Sequence, residues 1–233
     1  FDPEQKKARR IDELVAEPMA VVAPTGLAAL NVGGQTIHSL FKFPIHYLTS
    51  ADIPSFDKEE RQFFQTLETL VVDEVSMVRA DVFDAMDKAL RRARGKEHRR
   101  KPFGGVQIVL FGDLHQLPPV VTPEEVTSIQ MEYGNEFFFC APAYAAGRFH
   151  GVELKRPFRQ TEEDFLRLLN GIRNGKMLQE DIAELNGRVG RKPAQESGED
   201  VAEPIILVAT NAQAEQHNAE RLARLPGDVH TFE

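Results

Sequence analysis

One stretch constrains the fold of this chain more than any other: an apolar run, Leu70 to Val72, that stops at two adjacent carboxylates, Asp73 and Glu74. Such a run is typical of a strand buried on both faces of a parallel sheet. Ligands of open α/β sheets bind at the carboxyl ends of the strands. In nucleotide hydrolysis one carboxylate can hold Mg²⁺ through its water shell, and its neighbour can orient or deprotonate the attacking water. On this stretch alone, carboxylates that merely end a strand and begin a helix remain the commoner explanation.

A second run with the same kind of ending changes that balance. Val106 to Phe111 is apolar and leads into Gly112 to Pro119, which contains Asp113 and Gln116. The structural alternative is a capping box, with Asp113 as the N-cap and Gln116 as its reciprocal N3 residue. In a functional site the Gln116 amide can instead donate to a γ-phosphate oxygen or accept a hydrogen bond from water. Two strands of one sheet that both end in this way favour the functional interpretation.

The rest of the pattern predicts an α/β fold, in which helices flank a parallel sheet. Met19 to Ala23 is a further short apolar run, and strands that alternate with helices imply right-handed crossovers. We expect a first domain over residues 1–147, with a small surface insertion at about 42–62. A second domain is expected over 148–233, with a buried strand at 204–209.

Composition limits the classes of function. Hydrophobic residues make up 42% and charged residues 27% of the 233 positions, which is ordinary for a globular protein. The chain has no apolar run of membrane-spanning length, and its first residues do not resemble a signal peptide, so we expect a protein that is not secreted. The single cysteine, Cys140, indicates a reducing compartment. A formal charge of −8 argues against a polyanion-binding surface over the whole protein, but it permits a local basic track.

A basic stretch, Arg91 to Lys101, is the obvious candidate for such a track. It lacks the interleaved aromatic residues on which unpaired bases stack. We therefore expect a solvated helix end there, not a platform for single strands.

Several motifs, taken in order, resemble those of the petite-integration-frequency (PIF) helicases, which are RecD-like members of superfamily one. They are Val22–Ala29, Gly33–Ser39, Val72–Met77, Phe103–Gln107, Gly112–Pro119 and Phe158–Gln160. The resemblance implies a RecA-like domain of the P-loop NTPase type, followed by the start of a second RecA-like domain. It also implies an ATP-dependent DNA helicase that moves 5′ to 3′ on single-stranded DNA, acts at duplex junctions, and serves DNA repair, recombination, replication or telomere maintenance.

The resemblance further implies roles for single residues, with ATP and Mg²⁺ as cofactors. Asp73 matches the Walker B aspartate that holds magnesium through water, and Glu74 matches the catalytic glutamate. Gln116 matches the γ-phosphate-sensing glutamine, and Arg159 matches the arginine supplied by the second RecA-like domain. Gln5 would lie near the adenine, because the first five residues resemble the glutamine motif.

Four more residues, Thr25, Gly26, Thr36 and His38, match positions that lie along the single strand. Thr25 and Gly26 follow a predicted strand and open a helix, so a hydroxyl and backbone N–H groups can meet a DNA phosphate. For His38 the structural alternative is a buried imidazole bonded to the backbone. The implied protein is a monomer that works in the cytoplasm of a bacterium, at the nucleoid, or in the nucleus or mitochondrion of a eukaryote.

The sequence departs from the family in two respects, of which the first is that it contains no phosphate loop of the form G-x-x-x-x-G-K-S/T. Family members carry that loop just ahead of the strand that matches Met19 to Ala23, and their late motifs are missing too. We therefore expect a helicase fragment with a gap between Gln5 and Met19. The gap is either a deletion in the protein itself or a stretch that the protein has and the chain as given lacks. Two other classes stay open: a nucleic-acid-binding module without ATP turnover, and an interaction scaffold on the same sheet.

Overall fold

A computed structural model describes residues 18–158, 160–190, 205–225 and 227 of the chain. The chain divides into two compact units, Phe1–Pro157 and Phe158–Glu233. Gln5 and Arg159, both expected to contact nucleotide, lie outside the described residues. The domain boundary expected near residue 147 stays a prediction.

The first unit is built on a parallel sheet. Its strands are β1 (Met19–Ala23), β2 (Gln35–Thr36), β3 (Thr69–Val72) and β4 (Gln107–Leu110). They lie in the order β2-β1-β3-β4, and each neighbouring pair is parallel. Val72 at the end of β3 is level with Val22 on one side and Leu110 on the other. The strands therefore end together along one edge of the sheet, and the predicted α/β class is confirmed.

Helices surround this sheet, and the longest of them forms the core with it. In the described part of the first unit the α-helices are α1 (Gly26–Asn31), α2 (Ile37–Phe41), α3 (Lys58–Thr66), α4 (Ala80–Ala93), α5 (Val126–Tyr133) and α6 (Pro142–Gly147). In α4, apolar residues recur at helical spacing, and Phe83, Met86 and Leu90 are fully buried. The Phe83 ring packs edge-on against Phe103 at 5.4 Å. Replacing a buried phenylalanine of this kind by alanine costs about 3–5 kcal/mol.

The segment expected to be a surface insertion, residues 42–62, contributes to the core instead. Phe43, Leu48, Ile53 and Phe56 are all buried within the main hydrophobic cluster. Phe43 stacks on Phe41 of α2 with 5.2 Å between ring centroids. The expectation was wrong for these residues because the prolines and acidic residues around them are typical of a surface, whereas the apolar residues between them fill the space beside α2 and α3.

A buried ion network holds this segment against the start of α4. Arg79 donates to the Asp81 carboxylate from Nε at 2.9 Å and from Nη2 at 2.6 Å. The same guanidinium donates to the carbonyl oxygen of His46 at 3.0 Å and lies 2.8 Å from Oε1 of Glu125. Asp81 also accepts a hydrogen bond from the Leu48 backbone at 2.8 Å. One arginine therefore ties together three stretches that are distant in sequence.

Ahead of β4, the Phe-Gly-Gly motif forms a tight structural turn. Phe103 and Gly104 both have positive φ angles, 51° and 62°. A Cβ on Gly104 would lie 2.9 Å from the carbonyl oxygen of Leu90, so only glycine fits against α4. The Phe103 backbone N–H donates to the buried carboxylate of Asp87. This motif, which is part of the family resemblance, has a packing role.

The second unit is helical where it is described, with α7 (Glu163–Arg173), α8 (Gln179–Asn186) and α9 (Asn211–Leu222). Arg167 joins α7 to α8 through ion pairs with Asp181 and, at 3.1 Å, with Glu184. The buried strand expected at 204–209 is wrong for residues 205–208, which have no regular secondary structure. Ile205 and Leu207 are 88% and 92% exposed. An apolar run becomes a strand only beside a partner, and the described part of this unit offers none.

Within the described ranges, no helix combines the length and the apolar character needed to cross a membrane.

Candidate functional site

Asp73 and Glu74 lie directly after β3, at the carboxyl edge of the sheet. The Asp73 N–H donates to the Val22 carbonyl at 2.8 Å, so the ladder with β1 continues one residue beyond the strand. Both side chains are half-buried. Glu74 has left-handed backbone angles, φ 51° and ψ 43°, which are uncommon for a residue other than glycine and cost of order 1–3 kcal/mol. This turn allows the Val75 N–H to donate to the Phe111 carbonyl at 2.9 Å.

Gly112 brings the loop after β4 against the Glu74 turn. A Cβ on Gly112 would lie 2.9 Å from Cγ1 of Val75 and 3.1 Å from its backbone nitrogen. Any other residue would push the two loops apart. The two polar strand endings predicted from sequence therefore pack directly on each other.

Asp113 and Gln116 form a turn that differs from the capping box weighed as the structural alternative. Oδ1 of Asp113 accepts from the His115 N–H at 3.0 Å, and the Gln116 N–H donates to the Asp113 carbonyl at 3.0 Å. The Gln116 side chain donates to Oδ2 of Asp113 at 3.3 Å, and no helix begins at this turn. Gln116 is exposed, and its amide keeps an oxygen and one further N–H for a ligand.

Thr25 and Thr36 lie at the same edge, because Ala23 of β1 is paired with Thr36 of β2. Each threonine is a helix N-cap: Thr25 Oγ1 accepts from the Ala28 N–H at 3.3 Å, and Thr36 Oγ1 accepts from the Ser39 N–H at 3.1 Å. An N-cap hydroxyl that accepts in this way keeps its own hydrogen for an outside acceptor. Nothing lies within 4 Å of the Cβ position at Gly26, so packing does not require a glycine there.

His38 lies on α2 and is half-buried. Burial lowers the pKa of its imidazole, the charge of Arg79 lowers it further, and Asp81 opposes the shift without reversing it. The ring is therefore neutral at pH 7. No residue in the described part of the chain hydrogen-bonds to the imidazole, which meets the Phe43 ring edge-on at 6.5 Å. The backbone-bonded histidine considered as the alternative is not what the structure contains.

Three or more histidine, cysteine or acidic residues do not come together anywhere in the described ranges to form a metal cage. Asp73 offers one half-buried carboxylate at the strand end. Mg²⁺ in nucleotide sites is commonly held by one or two carboxylates, several waters and the phosphates of the substrate, so this donor set fits magnesium.

The family model described as PIF1-like helicase matches residues 9–183. The chain belongs to the PIF1-like helicase family. The resemblance read from the motifs is thereby confirmed.

Curated relatives of this PIF1-like chain align with it over nearly its whole length. The ATP-dependent DNA helicase PIF1 of Emericella nidulans is 35% identical over 97% of this chain, which covers 29% of that relative. The ATP-dependent DNA helicase RRM3 of Saccharomyces cerevisiae is 31% identical over 93% of this chain, which covers 28% of it. The chain thus spans less than a third of the length of these relatives.

Solved structures of Pif1 helicases have the same fold as this PIF1-like chain. The Pif1 helicase from Bacteroides in complex with ADP-AlF3 and single-stranded DNA is 36% identical, with a TM-score of 0.81 over 94% of this chain and 51% of that one. A structure of two coordinating Pif1 helicases at forked duplex DNA is 39% identical, with a TM-score of 0.77 over 88% of this chain and 47% of that one. The RecA-like fold predicted from the motifs is confirmed.

The sequence did not reveal every residue that shapes this site. Gly112 and Arg79 were not singled out from the sequence. Gly112 sets the contact between the two strand endings, and the charge of Arg79 helps to lower the pKa of His38. A glycine directly after a strand was a usable signal for the first. Arg79 gave no signal, because two of its three partners, His46 and Glu125, are distant in sequence.

Proposed function

We propose that the protein to which this chain belongs is an ATP-driven DNA helicase that translocates on single-stranded DNA, 5′ to 3′, in DNA maintenance. One observation carries the proposal: a PIF1-like chain gathers Asp73, Glu74 and Gln116 on interlocked loops at one edge of its sheet. Phosphoryl transfer depends on positioning and on charge stabilisation, and both need such groups to be held close together.

The three residues divide the chemistry between them. Asp73 would hold Mg²⁺ through water, and the ion would neutralise charge on the β- and γ-phosphates when bound. Glu74 would orient the attacking water and accept its proton. Its left-handed backbone sets the direction in which the side chain leaves the main chain. Gln116 would contact the γ-phosphate through the amide that the Asp113 turn leaves available. By family position, Gln5 would contact the adenine and Arg159 would reach the γ-phosphate.

The single strand would run along Thr25, Gly26, Thr36 and His38. The two threonine hydroxyls can donate to phosphate oxygens, the exposed backbone at Gly26 permits close approach, and the neutral imidazole can donate or accept. Single-stranded DNA is named in the related Bacteroides structure, and forked duplex DNA is named for the two coordinating Pif1 helicases. We propose the same partners here, and a monomer as the working unit.

The test is DNA-stimulated ATPase activity of the complete protein. Glu74→Gln keeps the shape of the side chain and removes the base, so turnover should fall by about 10²-fold or more while ATP affinity is retained. Glu59→Gln, at an exposed position of α3, is the matched control and should be silent. Single-strand binding without any ATPase in the unmodified protein would favour the binding module instead, and normal turnover in Glu74→Gln would remove Glu74 from the mechanism.

A further inference from the structure

The edge of the sheet opposite the strand endings carries a concentration of basic residues. After α4 the chain passes through Gly95 to Lys101, here called the basic loop, before the turn that leads into β4. Arg94, next to this loop, donates to the carbonyl oxygen of Leu67, which lies just ahead of β3. The basic loop is therefore at the amino ends of the strands, away from Asp73 and Glu74 at their carboxyl ends.

The arginines that precede the basic loop are occupied. Nε of Arg91 is 2.7 Å from the Asp87 carboxylate, Arg92 donates to the Ile53 carbonyl, and Arg94 donates to the Phe64 carbonyl at 2.7 Å. Arg92 and Arg94 fasten α4 to neighbouring segments, whereas Arg91 pairs within the helix. The solvated helix end expected from sequence is wrong for Arg94, which is half-buried.

The cations within the basic loop behave differently. Lys96, Arg99, Arg100 and Lys101 are exposed, and over the described ranges none of their side chains forms an ion pair or a hydrogen bond. Four unneutralised positive charges within six residues repel one another, and they do so in a chain whose formal charge is −8. An anionic partner would relieve that repulsion.

A cavity of about 440 Å³ adjoins the basic loop, and one residue of its lining carries a buried donor. It is lined by Gln65, Arg94, Lys96, Glu97 and His98. Nε of Arg94 is buried without a hydrogen-bond partner. A buried N–H without an acceptor is unfavourable, and an anion bound beside Arg94 could supply that acceptor. Glu97 is the carboxylate in this lining, and the cations around it outnumber it.

The basic loop is also held in place before any ligand binds. His98 Nδ1 lies 2.8 Å from the Gly104 carbonyl, and the Lys101 N–H donates to the His98 carbonyl at 3.0 Å. Gly95 adopts a φ of 88°, which starts the turn. A surface that is ordered in advance loses less conformational entropy on binding.

We propose that the basic loop binds the phosphate backbone of double-stranded DNA. No Phe, Tyr or Trp lies between Gly95 and Lys101, so the loop lacks the aromatic platform on which unpaired bases stack, whereas a duplex can be bound through its phosphates alone, at one charge per about 1.7 Å of axis. Arginine forks match phosphate oxygens in geometry. The choice of DNA as the polyanion rests on the proposed function, and the site is separate from both the nucleotide edge and the single-strand path.

The experiment compares two triple variants of the complete protein. Arg99→Ala/Arg100→Ala/Lys101→Ala removes charge from the basic loop, and Lys58→Ala/Lys176→Ala/Arg224→Ala removes the same charge from exposed positions elsewhere. Fluorescence anisotropy is measured with a blunt duplex and with an oligo-dT strand over a series of salt concentrations. We expect the slope of log Kobs against log salt for the duplex to become shallower by about 2–3 in the first variant only. Oligo-dT binding should change less than twofold in both.

Each other outcome has a defined meaning. An unchanged duplex slope in the basic-loop variant overturns the proposal, and so does poly-aspartate that competes as well as duplex of equal charge. If the triple variant has a lowered melting temperature, the single variant Arg100→Glu decides, with the same expected direction. Absence of single-strand-stimulated ATPase in the unmodified protein would instead contradict the helicase function, and it is scored independently of the duplex slope.

Discussion

Replacing Arg79 by methionine tests how the segment around Leu48 is held beside α4. The Asp81 side chain has no exposed surface, and the Arg79 side chain is only 12% exposed. Asp81 accepts two hydrogen bonds from the guanidinium and one, at 2.8 Å, from the Leu48 backbone. Methionine keeps much of the apolar stem and removes the charge. The variant therefore leaves a buried carboxylate with a single donor.

The expected cost follows from that geometry. Removing one partner of a buried ion pair costs about 3–5 kcal/mol, because the other charge stays desolvated. The lost hydrogen bond to the His46 carbonyl adds to it, whereas Glu125 keeps its contacts with Thr122. We expect a loss of about 3–5 kcal/mol from a total stability that is typically about 5–15 kcal/mol.

The assay is urea unfolding combined with hydrogen exchange of the peptide that covers residues 43–56. Arg79→Met should lower the urea midpoint and speed exchange in that peptide. Lys88→Met is the control, since its pair with Asp84 is more exposed, at 37% for the lysine, and such pairs contribute about 0–1 kcal/mol. Adding Asp81→Leu to Arg79→Met should restore part of the loss, because no charge is then left buried. If Arg79→Met costs no more than Lys88→Met, the network does not hold the segment.

Three further outcomes are expected. Arg159→Ala should lower ATP turnover by about 10³–10⁵ in steady-state kinetics while melting is little changed, and a melting loss with normal turnover would make it a surface ion-pair residue. Gly112→Ala should cost about 1–3 kcal/mol by thermal unfolding and also reduce ATPase, whereas Gly151→Ala, with open space around its Cβ position, should do neither. The pKa of His38 is lowered in the folded protein, so the unfolded chain takes up a proton first and stability should fall as pH drops below 6.5. His38→Gln should flatten that fall in melting curves recorded over a range of pH. An unchanged pH profile would contradict the lowered pKa of His38.

The positions of the strands were predictable where an apolar run ends sharply in polar residues. The ends of β3 and β4 were expected at one edge because strands of a parallel sheet share it, and the register of the two strands places both ends there. The burial of β4 was overestimated, since within the described sheet it is an edge strand with β3 as its neighbour. Residues 205–208 have the same apolar character, but pairing, which depends on distant residues, decides whether such a run is a strand.

The local geometry of the site was less predictable. Nothing in a glutamate indicates a left-handed backbone, and the conformation at Glu74 goes together with a hydrogen bond between Val75 and Phe111, residues far apart in sequence. The caps at Thr25 and Thr36 were more accessible, because a threonine between a strand and a helix is a common N-cap.

The Phe103–Gly105 turn affects how activity screens of such proteins are interpreted. It belongs to the motifs by which the family is known, yet its residues pack against Leu90 and Asp87 on α4, at the opposite end of the strands from Asp73. A missense change at Gly104 would therefore reduce the amount of folded protein and would register in a cellular assay as lost activity. Measuring abundance beside activity would separate such variants from those that damage the chemistry, and sequence conservation alone would not.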